Sequence, residues 1–531
     1  MRHVEVIMRR IEWLILLGAG LLLGLTAGGA PIVPYESDSA APSTNEIDRL
    51  VFERLKELKI ERAPLCSDAV FLRRIFLDVT GTLPTALDVQ RFVWDRNPNK
   101  RRILIDRLLD CETFADYWAM KWSDLLRIKA EFPINLWPNA AQAYHHWIRD
   151  ELRENAPYDR MARELLTSSG SNFELPPVNF YRAMQNRDPQ SIAQTVALTF
   201  MGVRAEAWPS NSWASMAEFF ANLEYKSTME WKEQIVFFNP ASTNAGAVTH
   251  PESAKFPDGT PVVLTPEKDP REVFADWLIT DRNPWFNRCI ANRVWYWLLG
   301  RGIINEPDDI RPDNPPVNPK LLAYLEGQFA GSHYDLRGLY RLILNSQTYQ
   351  LSSIARSTDA QAAANFAFYA PRRLDAEVLI DALNQVTGSN EKYSSAIPEP
   401  YTFIPENQRS IALPDGSITS AFLESFGKPP RDTGFAAERN NHITASQELT
   451  LLNSSVVQKK IQQSRMIGYQ LETGKTPAEL VTGLYLQILS RYPTAAELKT
   501  AVSHFQSGNK RETAIDIAWA LINTAEFMHR H

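Results

Sequence analysis

The chain reads as a mainly α, multi-helical protein: two packed helical domains with long irregular loops and at most a minor β element. Three observations carry this expectation. Apolar residues recur at three- and four-residue spacing through most of the chain, Asp-Pro and Asn-Pro pairs open several of those segments, and the one candidate strand is the short apolar run at residues 261–264.

At 531 residues the chain exceeds one ordinary core, so two or three domains are expected. Hydrophobic residues at 44%, charged residues at 22%, 14 Trp and 25 Phe place it among folded proteins rather than disordered ones.

The first thirty residues read as a targeting segment. Arg2, Arg9 and Arg10 precede an apolar stretch from Trp13 to Leu25, and residues 26–30 are small, as an export leader requires near its cleavage site. The stretch from Trp13 to Tyr35 carries no formal charge and is also long enough for an uncleaved anchor, which needs about 20 apolar residues. Gly18, Gly20, Gly24 and Pro31 favour cleavage. Arg9-Arg10 suggests a twin-arginine signal, but Glu12 stands where that signal prefers an apolar residue. A spacer rich in Ser, Ala and Pro follows, so the expected plan is a leader or anchor at 1–30, a flexible spacer at 31–45, a helical domain at 46–238, a linker at 239–268 and a second helical domain at 269–531.

Formal charge is −6. Removing the leader's three Arg and two Glu leaves −7, and with no Lys/Arg block elsewhere the composition argues against a nucleic-acid partner. Cys66, Cys111 and Cys289 are scattered and odd in number, which fits buried small residues, with one pair able to bridge in an oxidising compartment.

Among the helical segments, residues 50–58, 71–76, 102–109 and 144–152 show a period near 3.6 with charges opposite the apolar face. Asp188-Pro189, Asp269-Pro270 and Asn283-Pro284 each offer a cap and a first-turn proline, and Gly300 ends the last of these. Residues 239–268 and 389–430 are irregular, and a final helical block begins at Ser446.

Chemistry-bearing motifs are sparse. Covalent haem needs Cys-x-x-Cys-His, which the chain lacks, so no cofactor is predicted. His145 and His146 point about 100° apart on a helix and read as solvated surface residues, while His529 and His531 lie in a terminus expected to fray. No nucleophile elbow, zinc-helix motif or phosphate loop is present. Asp308, Asp309 and Asp313 could hold a hard cation or act as an acid and base, or simply make turns beside prolines. On the helix after Pro284, Arg288, Asn292 and Trp295 share a face that suits a ligand or protein contact, or that pins the helix to the Asp308/Asp309 loop through buried ion pairs.

Several ordered stretches resemble a known pair of families. Residues 68–84, 100–109 and 118–127 resemble the second cytochrome-associated domain of planctomycete envelope proteins, and residues 283–293, 300–303, 307–309, 314–316, 349–353, 371–379, 438–439, 451–454 and 489–493 resemble the planctomycete-specific domain that follows it. Both are of unknown function. The resemblance implies export and frequent fusion to cytochrome c, together with thiol and imidazole groups at three places where this chain has none. Where relatives carry Cys-x-x-Cys-His after Gly202, this chain has Ala205, Ala207, Trp208 and Ser210. Phe435 and Ala437 replace a usual Cys-x-Cys, and Val317-Asn318 replace Ser-His.

These losses point to a haem-free member, a non-catalytic interaction or scaffold protein of the cell envelope or periplasm. Its expected partners are other exported envelope proteins, and membrane contact is confined to an uncleaved N-terminus. The alternatives are an envelope polysaccharide hydrolase working through the acidic loop, and a redox-complex subunit that docks a cytochrome c. Trp208 and Trp213 either fill a lost cofactor's volume or serve as ordinary core. The candidate interaction or structural residues are Arg288, Asn292, Arg293, Trp295, Asp308, Asp309, Arg311, Glu438 and Arg439.

Overall fold

The computed structural model describes residues 35–37, 45–242, 254–441, 444–506 and 508–531. The expected leader and most of the spacer fall outside these residues, as does the middle of the 239–268 linker. The protein is mainly α, with 53% of the described residues helical and 5% in strands.

Helix starts follow the capping chemistry. Asp188 accepts from Ser191 N at 3.0 Å, with Pro189 opening the helix Pro189–Met201. Asp269 accepts from Arg271 N at 3.0 Å and opens Pro270–Leu278 in the same way. The third helix begins at Phe286 rather than Pro284, because the Asn283 side chain first holds Trp285 N and Phe286 N in a turn. Phe286–Leu299 then runs to Gly300, whose φ of 80° ends it.

The β structure lies elsewhere than the apolar 261–264 run. β1 (Gly170–Ser171), β2 (Leu223–Ser227) and β3 (Gln234–Phe238) form an antiparallel sheet in the order β1-β3-β2, with Val236 opposite both Gly170 and Tyr225. Residues 261–264 contribute only an isolated bridge between Lys255 and Pro261, a proline that has no N–H to extend a ladder. The described part of the linker is packed down: Phe256 stacks between Phe219 at 5.2 Å and Trp277 at 5.0 Å.

Buried apolar residues form one continuous cluster from Ile47 to Met528, so the two helical halves share a core. Trp118 packs on Tyr340 at 4.4 Å and on Trp297 at 5.4 Å across the seam. Polar bonds cross it as well. Asp48 accepts from Gln347 N at 2.8 Å and Thr348 N at 2.7 Å. From the helix Asp68–Val79, Arg73 donates to Ile488 O and Phe527 O, and Arg74 to Tyr349 O, Leu351 O and His531 O. These guanidiniums meet carbonyls rather than carboxylates, and burial pushes Arg73 down to about 10.

Two expectations about histidines are corrected. The last residues do not fray: β5 (His529–Arg530) pairs with β4 (Arg372–Arg373), placing Arg372 opposite Arg530 and Arg373 opposite His529. His145 is buried rather than solvated, because its face of the helix Pro138–Glu154 turns inward, and desolvation holds its pKa well below 6.5. All three cysteines are free, with Cys66 and Cys289 buried and Cys111 half-buried. Among the described residues no helix is long and apolar enough to cross a membrane.

Candidate functional site

A cleft of about 770 Å³ opens on the seam between the halves. Behind its wall lies Asp375, fully buried at the N-cap of the helix Ala376–Thr387. The Asp375 carboxylate makes no capping bond and turns instead to distant cations. Oδ2 accepts from Lys121 Nζ at 2.8 Å, Arg530 Nη2 at 2.7 Å and Tyr117 OH at 3.2 Å, while Oδ1 accepts from Asn441 Nδ2 at 2.8 Å. Burial raises the Asp375 pKa, but the charges of Lys121, Arg530 and Arg439 outweigh burial and hold it well below the usual carboxylate range. Burial pushes Lys121 down to about 8 against the pull of Asp375, so the pair stays ionised at neutral pH.

A second knot adjoins this one. Arg439 donates to Asp124 Oδ2 at 2.7 Å and to Glu377 Oε2 at 2.7 Å, and Arg431 approaches the other Asp124 oxygen at 3.0 Å. Burial lowers the Arg439 pKa, yet the facing carboxylates raise it well above the ordinary value. Arg372 donates to Asp78 Oδ1 at 3.1 Å, and Asp78 Oδ2 also accepts from Tyr349 and Tyr369.

Three charged groups on the cleft wall lack an ion-pair partner among the described residues: Arg301, Glu306 and Arg373. Arg373 is 1% exposed and donates Nη2 to Phe426 O and Asn440 O, both at 2.7 Å, while its Nε and Nη1 have no partner among the described residues. Burial lowers its pKa, with Arg439 adding to the effect and Asp375 opposing it. His529 also lines the cleft, and its Nδ1 lies 2.8 Å from Ala525 O. A carbonyl can only accept, so Nδ1 carries the proton and Nε2 remains available. Leu125, Trp297 and Phe435 supply apolar wall.

The family descriptions that match the chain divide along this seam. PSCyt2, a protein of unknown function (DUF1549), matches residues 46–223, and PSD1, a protein of unknown function (DUF1553), matches residues 270–505. The chain belongs to the PSCyt2–PSD1 families. No curated protein and no solved structure matches it. The cleft therefore takes Lys121 and Asp124 from the PSCyt2 segment and most of its remaining wall from the PSD1 segment, and Arg530 reaches in from beyond the PSD1 match.

The residues singled out from sequence have several fates. Arg293 is buried on the PSD1 side, donating Nη1 to Thr199 O at 2.7 Å and Nη2 to Leu198 O at 3.1 Å and to Asp308 Oδ1 at 3.2 Å. It places a cation on the last carbonyls of the PSCyt2 helix Pro189–Met201. Asp308 Oδ2 accepts from Ala436 N at 2.6 Å, and Glu438 takes the N–H groups of Asp432 and Thr433. Arg293, Asp308 and Arg439 line the cleft, but Glu438 is not part of its wall.

Asn292 and Trp295 do not present a recognition surface, because both are fully buried. Asn292 holds Ile304 N and O at 2.9 Å, and Trp295 packs edge-on to Phe366. Arg288 pairs with Glu326 at 2.8 Å. Asp309 and Asp313 share Arg311 near the surface, so the acidic loop does not converge, and among the described residues no group of three or more His, Cys, Asp or Glu could hold a metal.

Two of the three places where thiol or imidazole groups were expected meet in space. Arg204 lies over the Phe435 ring at 5.7 Å, joining the Ala205–Ala207 turn to the cleft wall that carries Phe435 and Ala437. Beside that turn, Trp208 packs on Trp213 at 4.9 Å and Trp285 at 5.7 Å, Trp213 Nε1 donates to Ala205 O at 2.7 Å, and Ser210 begins the helix Ser210–Ala217. At the third place, Asn318 caps the helix Pro319–Gly331 and donates to Leu50 O at 3.0 Å.

Lys121, Asp124, Arg372, Arg373, Asp375, Glu377 and Arg530 escaped selection from sequence. All but Arg530 lay inside the resembling stretches 118–127 and 371–379. Nothing local in those stretches showed that the other half of the chain would cover their charges.

Proposed function

We propose that this protein is a haem-free, non-catalytic binding protein of the cell envelope whose working site is the cleft, and that the group it takes is anionic. One observation carries this reading. Arg301 and Arg373 line the cleft without carboxylate partners, and Arg373 is buried at 1% exposure. A buried cation without a direct ion-pair partner is costly, so an anion from solution stabilises the site. Export to the envelope is supported by the basic, apolar and small-residue order of residues 1–30. The acidic loop offers little to a hydrolase, because Asp308 is committed to Arg293 and to Ala436 N.

Isothermal titration of the purified chain with a panel of organic anions at fixed ionic strength tests the reading. At least one anion is expected to bind wild type, with at least tenfold weaker binding to Arg301→Gln of unchanged circular dichroism. A panel in which none binds overturns it.

A further inference from the structure

The wall of the cleft carries a countable charge. Seven cations and three carboxylates line it. Their ion-pair partners add the carboxylates Asp78, Asp375 and Glu377 and the cation Arg431. Eight cations thus meet six carboxylates, a surplus of two positive charges held by an acidic chain of formal charge −6.

From this balance, and resting on the anion-binding reading above, we infer that the ligand is an organic dianion, a phosphate monoester or a dicarboxylate, with a carbon body that lies against Leu125, Trp297 and Phe435. A single negative charge leaves half of the surplus uncompensated, and at reduced effective dielectric that residue of charge is expensive. Two negative charges close it. The donors suit either group, since guanidiniums match carboxylate and phosphate oxygens equally well.

Charged and apolar groups line the same cleft side by side: Arg372 Nη1 donates to Trp297 O at 2.8 Å, and Leu125 follows Asp124. Arg373 stands directly opposite His529 on the β4–β5 ladder, and such cross-strand partners share a face with Cβ atoms about 4.5–5.5 Å apart. Arg301 is half-exposed and, unlike the half-exposed Arg372 and Arg439, has no carboxylate partner among the described residues. An inorganic dianion satisfies the charge but leaves the apolar wall facing water, so the organic dianion is the better fit.

The test is calorimetric titration of the full chain with four probes at one ionic strength: a phosphate monoester, a dicarboxylate, the monocarboxylate of the same skeleton, and inorganic sulfate. At least one organic dianion is expected to bind tenfold or more tighter than both the monocarboxylate and sulfate. Arg301→Gln is expected to lose that preference, Arg301→Lys to retain part of it, and Arg311→Gln, away from the cleft, to leave it unchanged. A preference for the phosphate ester or for the dicarboxylate identifies which source of the dianion is used, and either supports the inference. Equal affinity for the monocarboxylate and the dianions, or sulfate binding as tightly as they do, overturns it while leaving anion binding intact. Absence of binding by every probe removes the underlying reading as well.

Discussion

Arg530 and Asp375 stand 155 residues apart in the chain and meet at 2.7 Å in its interior, both almost fully removed from solvent. The contact pins β5 to the start of the helix Ala376–Thr387 and, through Lys121, to the opposite half of the protein. Asp375→Asn removes the charge on which Lys121, Arg530 and Arg439 converge. A loss of about 3–5 kcal/mol is expected, as for other buried pairs broken on one side. Denaturant unfolding measures it, and a midpoint within error of wild type would falsify the central role given to Asp375.

Arg293 joins the two halves in a similar way, capping carbonyls in one and pairing with Asp308 in the other. Arg293→Met strands Asp308, which is 1% exposed, and is expected to cost about 3–5 kcal/mol. Arg293→Lys should recover little, since one ammonium cannot reproduce the planar fork. A double-mutant cycle with Asp308→Asn is expected to show coupling above about 1 kcal/mol, and additivity would count against the pairing.

Gly302 is fixed by closeness rather than by φ. A Cβ there would meet Ile304 O at 2.1 Å, inside the loop that Asn292 holds shut. Gly302→Ala is expected to destabilise by about 1–3 kcal/mol. Gly327→Ala, within the helix Pro319–Gly331 and with nothing within 4 Å of its Cβ, should instead stabilise by up to about 1 kcal/mol. Thermal unfolding of the two variants, shifted in opposite directions, checks the contrast.

Asp381 imposes a pH dependence of definite sign. Its buried carboxylate accepts from Ser410 N and Ile411 N, and burial raises its pKa to about 6. Between about pH 4 and 6 the folded state keeps a proton that the unfolded chain, titrating near 3.9, has lost, so this residue's contribution falls as pH rises through that window. His531 acts in the opposite direction: burial holds it near 4, and its contribution grows between about pH 4 and 6.5. Comparison with Asp381→Asn isolates the first effect. Wild type is expected to lose on the order of 2–3 kcal/mol relative to that variant between pH 4 and 7, and parallel stability curves would refute it.

Helices were legible because their signals are local. Asp188, Asp269 and Gly300 do what their positions announce, and the apolar spacing of the Phe286–Leu299 helix does become buried core. The sheet was not legible, since β1 is two residues long and its partner β3 lies about sixty residues away. His145 and the terminal pair His529 and His531 were misplaced for a related reason: a polar side chain near a charged helix face or a chain terminus carries no local sign that another segment will cover it.

The sequence by itself determined the helical class, the positions of the main caps and the resemblance to two successive families, all of which depend on residues within a few turns of one another. Tertiary structure alone decided that the two families share one core, that Lys121, Asp124, Asp375, Glu377, Arg439 and Arg530 form a single network, and that a cationic cleft opens where they meet. Charge at a site is a sum over every group within a few ångströms, and in this protein the groups that set it come from segments up to four hundred residues apart.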